Sequence, residues 1–236
     1  AIDKRDQIWI GTINGLRVLY NTAGFFTDPA IEAQSIIVLD DGLPQELLFQ
    51  TYVSDIEVDG SNNKWIGTIG AGLYYFSSDG QETIYHFTKD NSPLPTNNVV
   101  DVAIDQTNGI VYIATDKGLV SYGSGGSETM TTLENAFIFP NPVRPDYNMN
   151  DKKIQIRGIT ENMNIKITDI EGNLVAEAQS NVNTRYRGYN LEIDGGSAYW
   201  NGKNLGNNSV ASGVYLIMLS DLDSYETKVL KLMVVR

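Results

Sequence analysis

The stretch KWIGTIGAGLYYF, residues 64–76, decides the fold because the chain writes it more than once. QIWIGTINGLRVLY at residues 7–20 is a near copy, and VYIATDKGLVSY at 111–122 is a looser third. Aligned on Trp9, Trp65 and Tyr112, the copies lie 56 and 47 residues apart. The likeness extends upstream, where AID ends at Asp3, VSDIEVD at Asp59 and VVDVAID at Asp105, six, six and seven residues before the aromatic. Leu43-Pro44 and Leu94-Pro95 introduce the second and third units. Within each unit, apolar residues alternate with polar ones over short runs cut by Gly and Asn, the pattern of half-buried strands joined by turns. A self-similar period of about 40–50 residues with several strands per period predicts a β-propeller with one blade per period. SIIVLD (35–40) and ETIYHF (82–87) read as further strands of the first and second blades, and DPAIEAQSI (28–36) as loop.

About three blades do not close a ring, since propellers close with roughly 4–8 and an open stack leaves sheet faces in water. The first unit also starts at AID, in mid-pattern. The expectation is therefore a partial propeller, the C-terminal part of a larger one, over residues 1–133. The small, polar run YGSGGSETMTTLEN (122–135) reads as a linker. Residues 134–236 then show seven alternating segments: AFIFPN, KIQIRG, NIKITDI, NLVAEAQ, YNLEID, GVYLIMLS and ETKVLKLMVV. About 100 residues of that pattern predict an antiparallel β-sandwich. The whole chain reads as all-β.

Charge is divided unequally. The net charge of −12 falls almost wholly on residues 1–133, which carry 6 Lys/Arg against 17 Asp/Glu; residues 134–236 carry 11 against 12. Such a surface repels phosphate backbones, so no nucleic-acid partner is expected. The absence of cysteine excludes disulfides and thiolate chemistry and is neutral on compartment. No run approaches the roughly 18 apolar residues of a membrane helix, and AIDKRDQIW has no signal-peptide apolar core.

The candidates for chemistry each have a plainer structural reading. Trp9 and Trp65 read as packing residues between blades or, alternatively, as a platform for sugar rings. His86, the one histidine, lies in an alternating strand with no second imidazole to share a metal. Asp40-Asp41, Asp55/Glu57/Asp59 and Asp101/Asp105 read as solvated strand faces and turn formers, or as calcium ligands or glycosidic acids. DGSNN (59–63) lacks the distal Glu of a calcium loop. GTIGAG (67–72) has phosphate-loop glycines but no following helix to hold an anion. No catalytic residue, metal or cofactor is expected.

Two resemblances sharpen these readings. IWIGT…NGL…Y and KWIGT…AGL…Y resemble the two-component-regulator propeller repeat of extracytoplasmic sensors and surface proteins of Bacteroidetes, from which the third copy departs with YIAT. FPNPV (139–143), NIKITDIEGNLV (164–175), YWNGKNLGNNSVASGVYL (199–216) and KVLKLMVVR (228–236), with their spacing, resemble the type A C-terminal sorting domain of the type IX secretion system. That resemblance implies an immunoglobulin-like sandwich, read by type IX and outer-membrane shuttle proteins during export to the cell surface. In some cargos it is cut off by a sortase and replaced by a lipopolysaccharide anchor. The positions that carry it are Asn141, Pro142, Trp200, Gly202, Gly213, Tyr215 and Lys231. Pro140 and Pro142 would keep the entry strand extended, Trp200 would cap an open end, and Gly213 would allow sharp entry into VYLIML.

Propeller followed by sorting domain is the organisation of the PorZ-type family of surface accessories to the sortase complex. The expected function is thus a non-enzymatic, exported surface protein whose propeller binds a glycan, lipopolysaccharide included, or a protein. Two other readings remain open: a secreted hydrolase or lyase using Asp55, Glu57 or Asp101, and the ligand-sensing part of a two-component sensor. A plain sandwich with no secretion role is the bland reading of the second domain.

Overall fold

The computed structural model describes residues 1–40, 42–124 and 126–236. Asp41, the side chain of Asp40, and Gly125 of the expected linker lie outside the described residues. Every regular element among those described is a strand, and the strands form several small antiparallel sheets. The chain divides into two compact units, Ala1–Gly125 and Gly126–Arg236.

In the first unit, β1 (Ile8–Thr12) and β2 (Gly15–Leu19) form a hairpin, as do β3 (Ile37–Asp40) and β4 (Leu43–Glu46). Then β5 (Tyr52–Val58), β6 (Lys64–Ile69), β7 (Gly72–Phe76) and β8 (Thr83–Phe87) make a four-stranded meander. A three-stranded one follows from β9 (Val99–Asp105), β10 (Ile110–Thr115) and β11 (Gly118–Gly123). ETIYHF is β8, as its alternation predicts. SIIVLD does not extend the first hairpin: β3 pairs with the Leu-Pro segment itself, and among the described residues only Gln34 makes a bridge beside β2, to Val18.

The repeated residues have repeated jobs. Thr12, Thr68 and Thr115 each donate a hydroxyl hydrogen bond to the carbonyl of the glycine that reopens the hairpin, Gly15, Gly72 and Gly118, at 2.8, 2.7 and 2.7 Å. Those three glycines have φ of +123°, +89° and +144°, values that a side chain disfavours. Gly11 and Gly67 serve a different end, because the next sheet crosses directly over them. A Cβ would come within 2.5 Å of Val53 Cγ1 at Gly11, and within 2.9 Å of Val99 Cγ1 at Gly67.

The first two aromatics face forward onto the next repeat. Trp9 is 1% and Trp65 0% exposed, so both are core and neither is a sugar platform. Trp65 stacks on Tyr75 at 4.1 Å and meets Tyr122 of β11 at 5.8 Å. Tyr112, which the pattern places in the same packing role, is instead 41% exposed, with Leu119 of the same sheet at 67%. The cause is positional, since among the described residues of the first unit no further sheet follows the third.

An ion pair ties the first hairpin to the second sheet. Lys64 Nζ lies 2.9 Å from Asp3, with both side chains fully buried, and also donates to the carbonyls of Asn62 and Ser78 at 2.7 and 2.6 Å. It stands 4.4 Å from the Trp9 ring centre, and the Trp9 indole donates to Asp3 at 3.2 Å. Burial alone would raise the Asp3 carboxyl. The Lys64 hydrogen bond and the backbone N–H groups of Gln7 and Arg5 outweigh it and hold the carboxyl below its ordinary value.

In the second unit, β12 (Phe137–Phe139), β13 (Ile154–Arg157), β14 (Met163–Asp169), β15 (Leu174–Gln179), β16 (Leu191–Asp194), β17 (Ser197–Trp200), β18 (Gly213–Asp221) and β19 (Thr227–Val234) form two four-stranded antiparallel sheets. Their orders are β12-β13-β17-β16 and β15-β14-β18-β19. Ile154, Ile156 and Ile193 from one sheet share a core with Ile165, Ile167 and Ile217 from the other. The strand β17, SAYW, escapes the alternation rule because all four residues are buried. The unit also takes in part of the stretch whose composition reads as linker. Ser127 bridges to Gly195, Met130 N–H donates to the Ile159 carbonyl, and Leu133 is fully buried.

Gly11→Ala and Gly67→Ala are each expected to destabilise by about 1–3 kcal/mol through overpacking, read as a lower urea midpoint, whereas Ala114→Gly at the third copy costs at most about 1 kcal/mol. Lys64→Met strands the buried Asp3 carboxylate and should cost about 3–5 kcal/mol. The double variant Asp3→Asn/Lys64→Met should recover part of that loss, and strict additivity in the cycle would count against the clasp.

Candidate functional site

The seven positions that carry the resemblance to a sorting domain fall into two groups. The first is buried in and against the core. Trp200 is fully buried, donates from its indole to the Lys203 carbonyl at 2.9 Å, and meets the Tyr215 ring edge-on at 5.8 Å. Tyr215 is 7% exposed, and its hydroxyl donates to the Ala211 carbonyl at 2.9 Å. Burial pushes the Tyr215 phenol up, with the nearby Asp169 charge adding to it. Gly202 has φ of +71°, and a Cβ there would come 2.4 Å from Met149 Sδ. These three residues shape the loop that Val210 N–H fastens to the Gly202 carbonyl at 2.9 Å. They act from beneath the surface.

The second group is exposed: Asn141, Pro142, Gly213 and Lys231. The Asn141 side chain behaves as one residue of a missing strand. Its Nδ2 donates to the Lys231 carbonyl at 2.7 Å, and its Oδ1 accepts Met233 N–H at 3.1 Å. Val143 continues the pairing, donating to the Met233 carbonyl and accepting from Val235 N–H at 2.8 and 2.9 Å. FPNPV therefore covers the outer edge of β19 from Lys231 to Val235, which removes a template for edge-to-edge pairing. Gly213 opens β18 opposite Val234, and Lys231 pairs with Leu216.

The turn motif of the second segment has a local cause. Asp169 accepts the backbone N–H of Glu171 and Asn173, both at 2.9 Å, and the Asn173 side chain at 2.8 Å. The Asn173 bonds above all hold the Asp169 carboxyl below its ordinary value. Asp59 and Asp105 likewise accept backbone N–H groups at the repeat turns, which is the turn-forming reading of those carboxylates.

In the first unit, Asp55 accepts the backbone N–H of Val102 from the next sheet at 2.9 Å. Glu57 is half-buried, and burial, then the charges of Asp55 and Asp101, raise its carboxyl above the ordinary value. His86 is exposed, stacks on Tyr74 at 3.9 Å, and has Nε2 2.7 Å from the Ala71 carbonyl. Among the described residues, no three His, Cys, Asp or Glu side chains converge to hold a metal, and no helix is long and apolar enough to cross a membrane.

Sequence reasoning missed a groove of about 760 Å³ over the first sheet of the second unit, walled by Phe139, Tyr147, Lys152, Tyr186 and Tyr199. On its floor Glu192 pairs with Lys153 at 2.5 Å. Arg185 pairs with Asp194 at 3.1 Å and lies 4.1 Å from the Tyr199 ring centre. The signal was LEID, an alternating segment whose acidic members are buried rather than solvated.

No family model matches the sequence, and no curated protein matches it. Among solved structures the chain is similar to PorZ of Porphyromonas gingivalis, described as an essential bacterial surface component of the type IX secretion system. The identity is 31% with a TM-score of 0.60, covering 100% of this chain and 30% of that one. Extracellular domains of two putative hybrid two-component systems of B. thetaiotaomicron match at 11% and 15% identity with TM-scores of 0.34 and 0.35. Those matches cover 100% and 98% of this chain and 30% and 28% of theirs. The chain thus spans less than a third of the length of each.

Asn141→Ala is expected to leave the Met233 amide without its partner, at about 1 kcal/mol. Hydrogen exchange at Met233 should then quicken by about fivefold, with the amides of β14 unchanged.

Proposed function

We propose that this chain belongs to an exported, non-enzymatic cell-surface protein of PorZ-like kind. The first unit is a run of about three propeller blades that binds a glycan or protein partner. The second is an immunoglobulin-like sorting domain read by type IX and outer-membrane shuttle proteins. The observation that carries the proposal is the likeness to PorZ at 31% identity across the whole chain, both units included.

The physical chemistry is consistent with it. Sheets that stack by covering one another's aromatic faces are the way blades pack, and the bare Tyr112 face is suited to a further sheet of the same repeat. Non-enzymatic action fits the engagement of Asp55 as a backbone acceptor, which takes it out of acid–base work. A Glu57→Gln variant should therefore bind whatever glycan the native protein binds. Release of reducing ends from that glycan by the native protein, lost in the variant, would restore the hydrolase reading.

Removal of residues 126–236 in a type IX-competent host tests the address. The shortened protein is expected to stay in the periplasm, and surface display at the native level would refute the sorting role.

A further inference from the structure

We infer that the outward face of the β18–β19 pair docks a protein partner that presents an aliphatic surface with a carboxylate at its centre. This deepens the sorting reading and rests on it.

Three cross-strand pairs build the face: Val214 with Met233, Leu216 with Lys231, and Met218 with Val229. Met218, Val229 and Met233 are 42%, 53% and 50% exposed, Leu216 and Val214 are half-buried, and Lys231 is exposed. The same strands are already apolar on their inward side, where Tyr215, Ile217, Leu219, Leu232 and Val234 are buried. A strand with one face on the core and one in water alternates apolar with polar; β18 and β19 are apolar on both. The other half of this sheet obeys the ordinary rule. There Asn164 and Lys166 of β14 and Glu177 and Gln179 of β15 point outward, and Lys166 pairs with Glu177 at 3.4 Å. Leu174, at the start of β15, is the other exposed apolar residue on this sheet's strands; the contiguous departure is the one on two neighbouring strands, and a contiguous exposed apolar patch rimmed by polar residues marks an interface.

The chemistry of the patch selects its occupant. It carries no aromatic ring, so it offers a sugar nothing to stack on. Two methionines give it an adaptable surface of the kind used against protein partners. Strand addition at Lys231–Val235 is blocked by Asn141 and Val143, which leaves the face rather than the edge. At its centre Lys231 has no ion pair among the described residues. A second copy of the chain docking through the same face by a two-fold axis would bring Lys231 against its own mate, a like-charge contact that costs affinity. A different protein with a carboxylate there would gain instead.

The test uses the full chain exported in a type IX-competent host, with the purified proteins checked for unchanged circular dichroism and melting. Met218→Lys and Val229→Lys are each expected to cut the surface-displayed fraction roughly tenfold, the scale of one interface hot spot. Lys231→Glu should do the same, Lys231→Arg should retain display, and Lys166→Glu on the polar half should leave it intact. Native display of the face variants, equal behaviour of Lys231→Glu and Lys231→Arg, or an equal loss with Lys166→Glu would each overturn the docking face. A dimer seen by sedimentation and abolished by Val229→Lys would assign the face to a second copy and overturn it too. If removing residues 126–236 leaves display unchanged, the sorting reading itself falls; if removal abolishes display and the face variants do not, only the docking face falls.

Discussion

A sheet with an apolar face has to be covered, and in the first unit the cover is the next repeat. Trp9 and Trp65 are large because each fills the space between two sheets, and Gly11 and Gly67 are small because the following strand passes within van der Waals distance of them. Large and small positions two residues apart on one strand are thus two halves of one packing requirement. The third copy relaxes both together: Tyr112 is exposed, and Ala114 stands where the earlier copies need glycine.

The Asp3–Lys64 pair meets the same requirement with different chemistry. A buried ion pair is a weak source of stability, because desolvation offsets most of the attraction. Its value lies in register. Lys64 has acceptors on Asp3, Asn62 and Ser78 and an aromatic face on Trp9, and a slipped packing would leave its charge unpaired. The second sheet shows the contrast. Asp59 is taken by the Tyr75 hydroxyl at 2.6 Å, and the Trp65 indole N–H stays buried without an acceptor among the described residues. The two aromatic positions that look alike in the sequence therefore differ in polar satisfaction.

The local order was legible because it rests on periodicity. Alternation found β5 to β11, and the repeat found their stacking. The turn role of the aspartates followed from their place at strand ends, before Gly and Asn. Failures came where burial is two-sided. SAYW and LEID carry no outward polar residues to mark a period, so one was missed and the other hid its buried Glu192 and Asp194. SIIVLD was misplaced because pairing partners are set by tertiary context, here the short segment at Leu43–Glu46, and not by the strand's own pattern. Of the candidate positions, the sequence did not tell the depth. Trp200 and Tyr215 support the surface from within, while Asn141 and Lys231 form it.

That division bears on the sorting role proposed for the second unit. A linear tag would be read from any exposed stretch, but here the segments that carry the resemblance are far apart in sequence and meet only when the unit folds: Asn141 meets Lys231 and Met233 across some ninety residues. The closed edge prevents adventitious strand pairing, and the core beneath fixes the positions of the side chains above it. The apolar outer face of β18–β19 is then the largest run of exposed apolar side chains on this sheet's described strands. Leaving it bare opposes solubility, and a binding step that buries it would recover the lost burial. A folded surface of this kind presents itself to a partner only after the chain is complete, so recognition would follow folding.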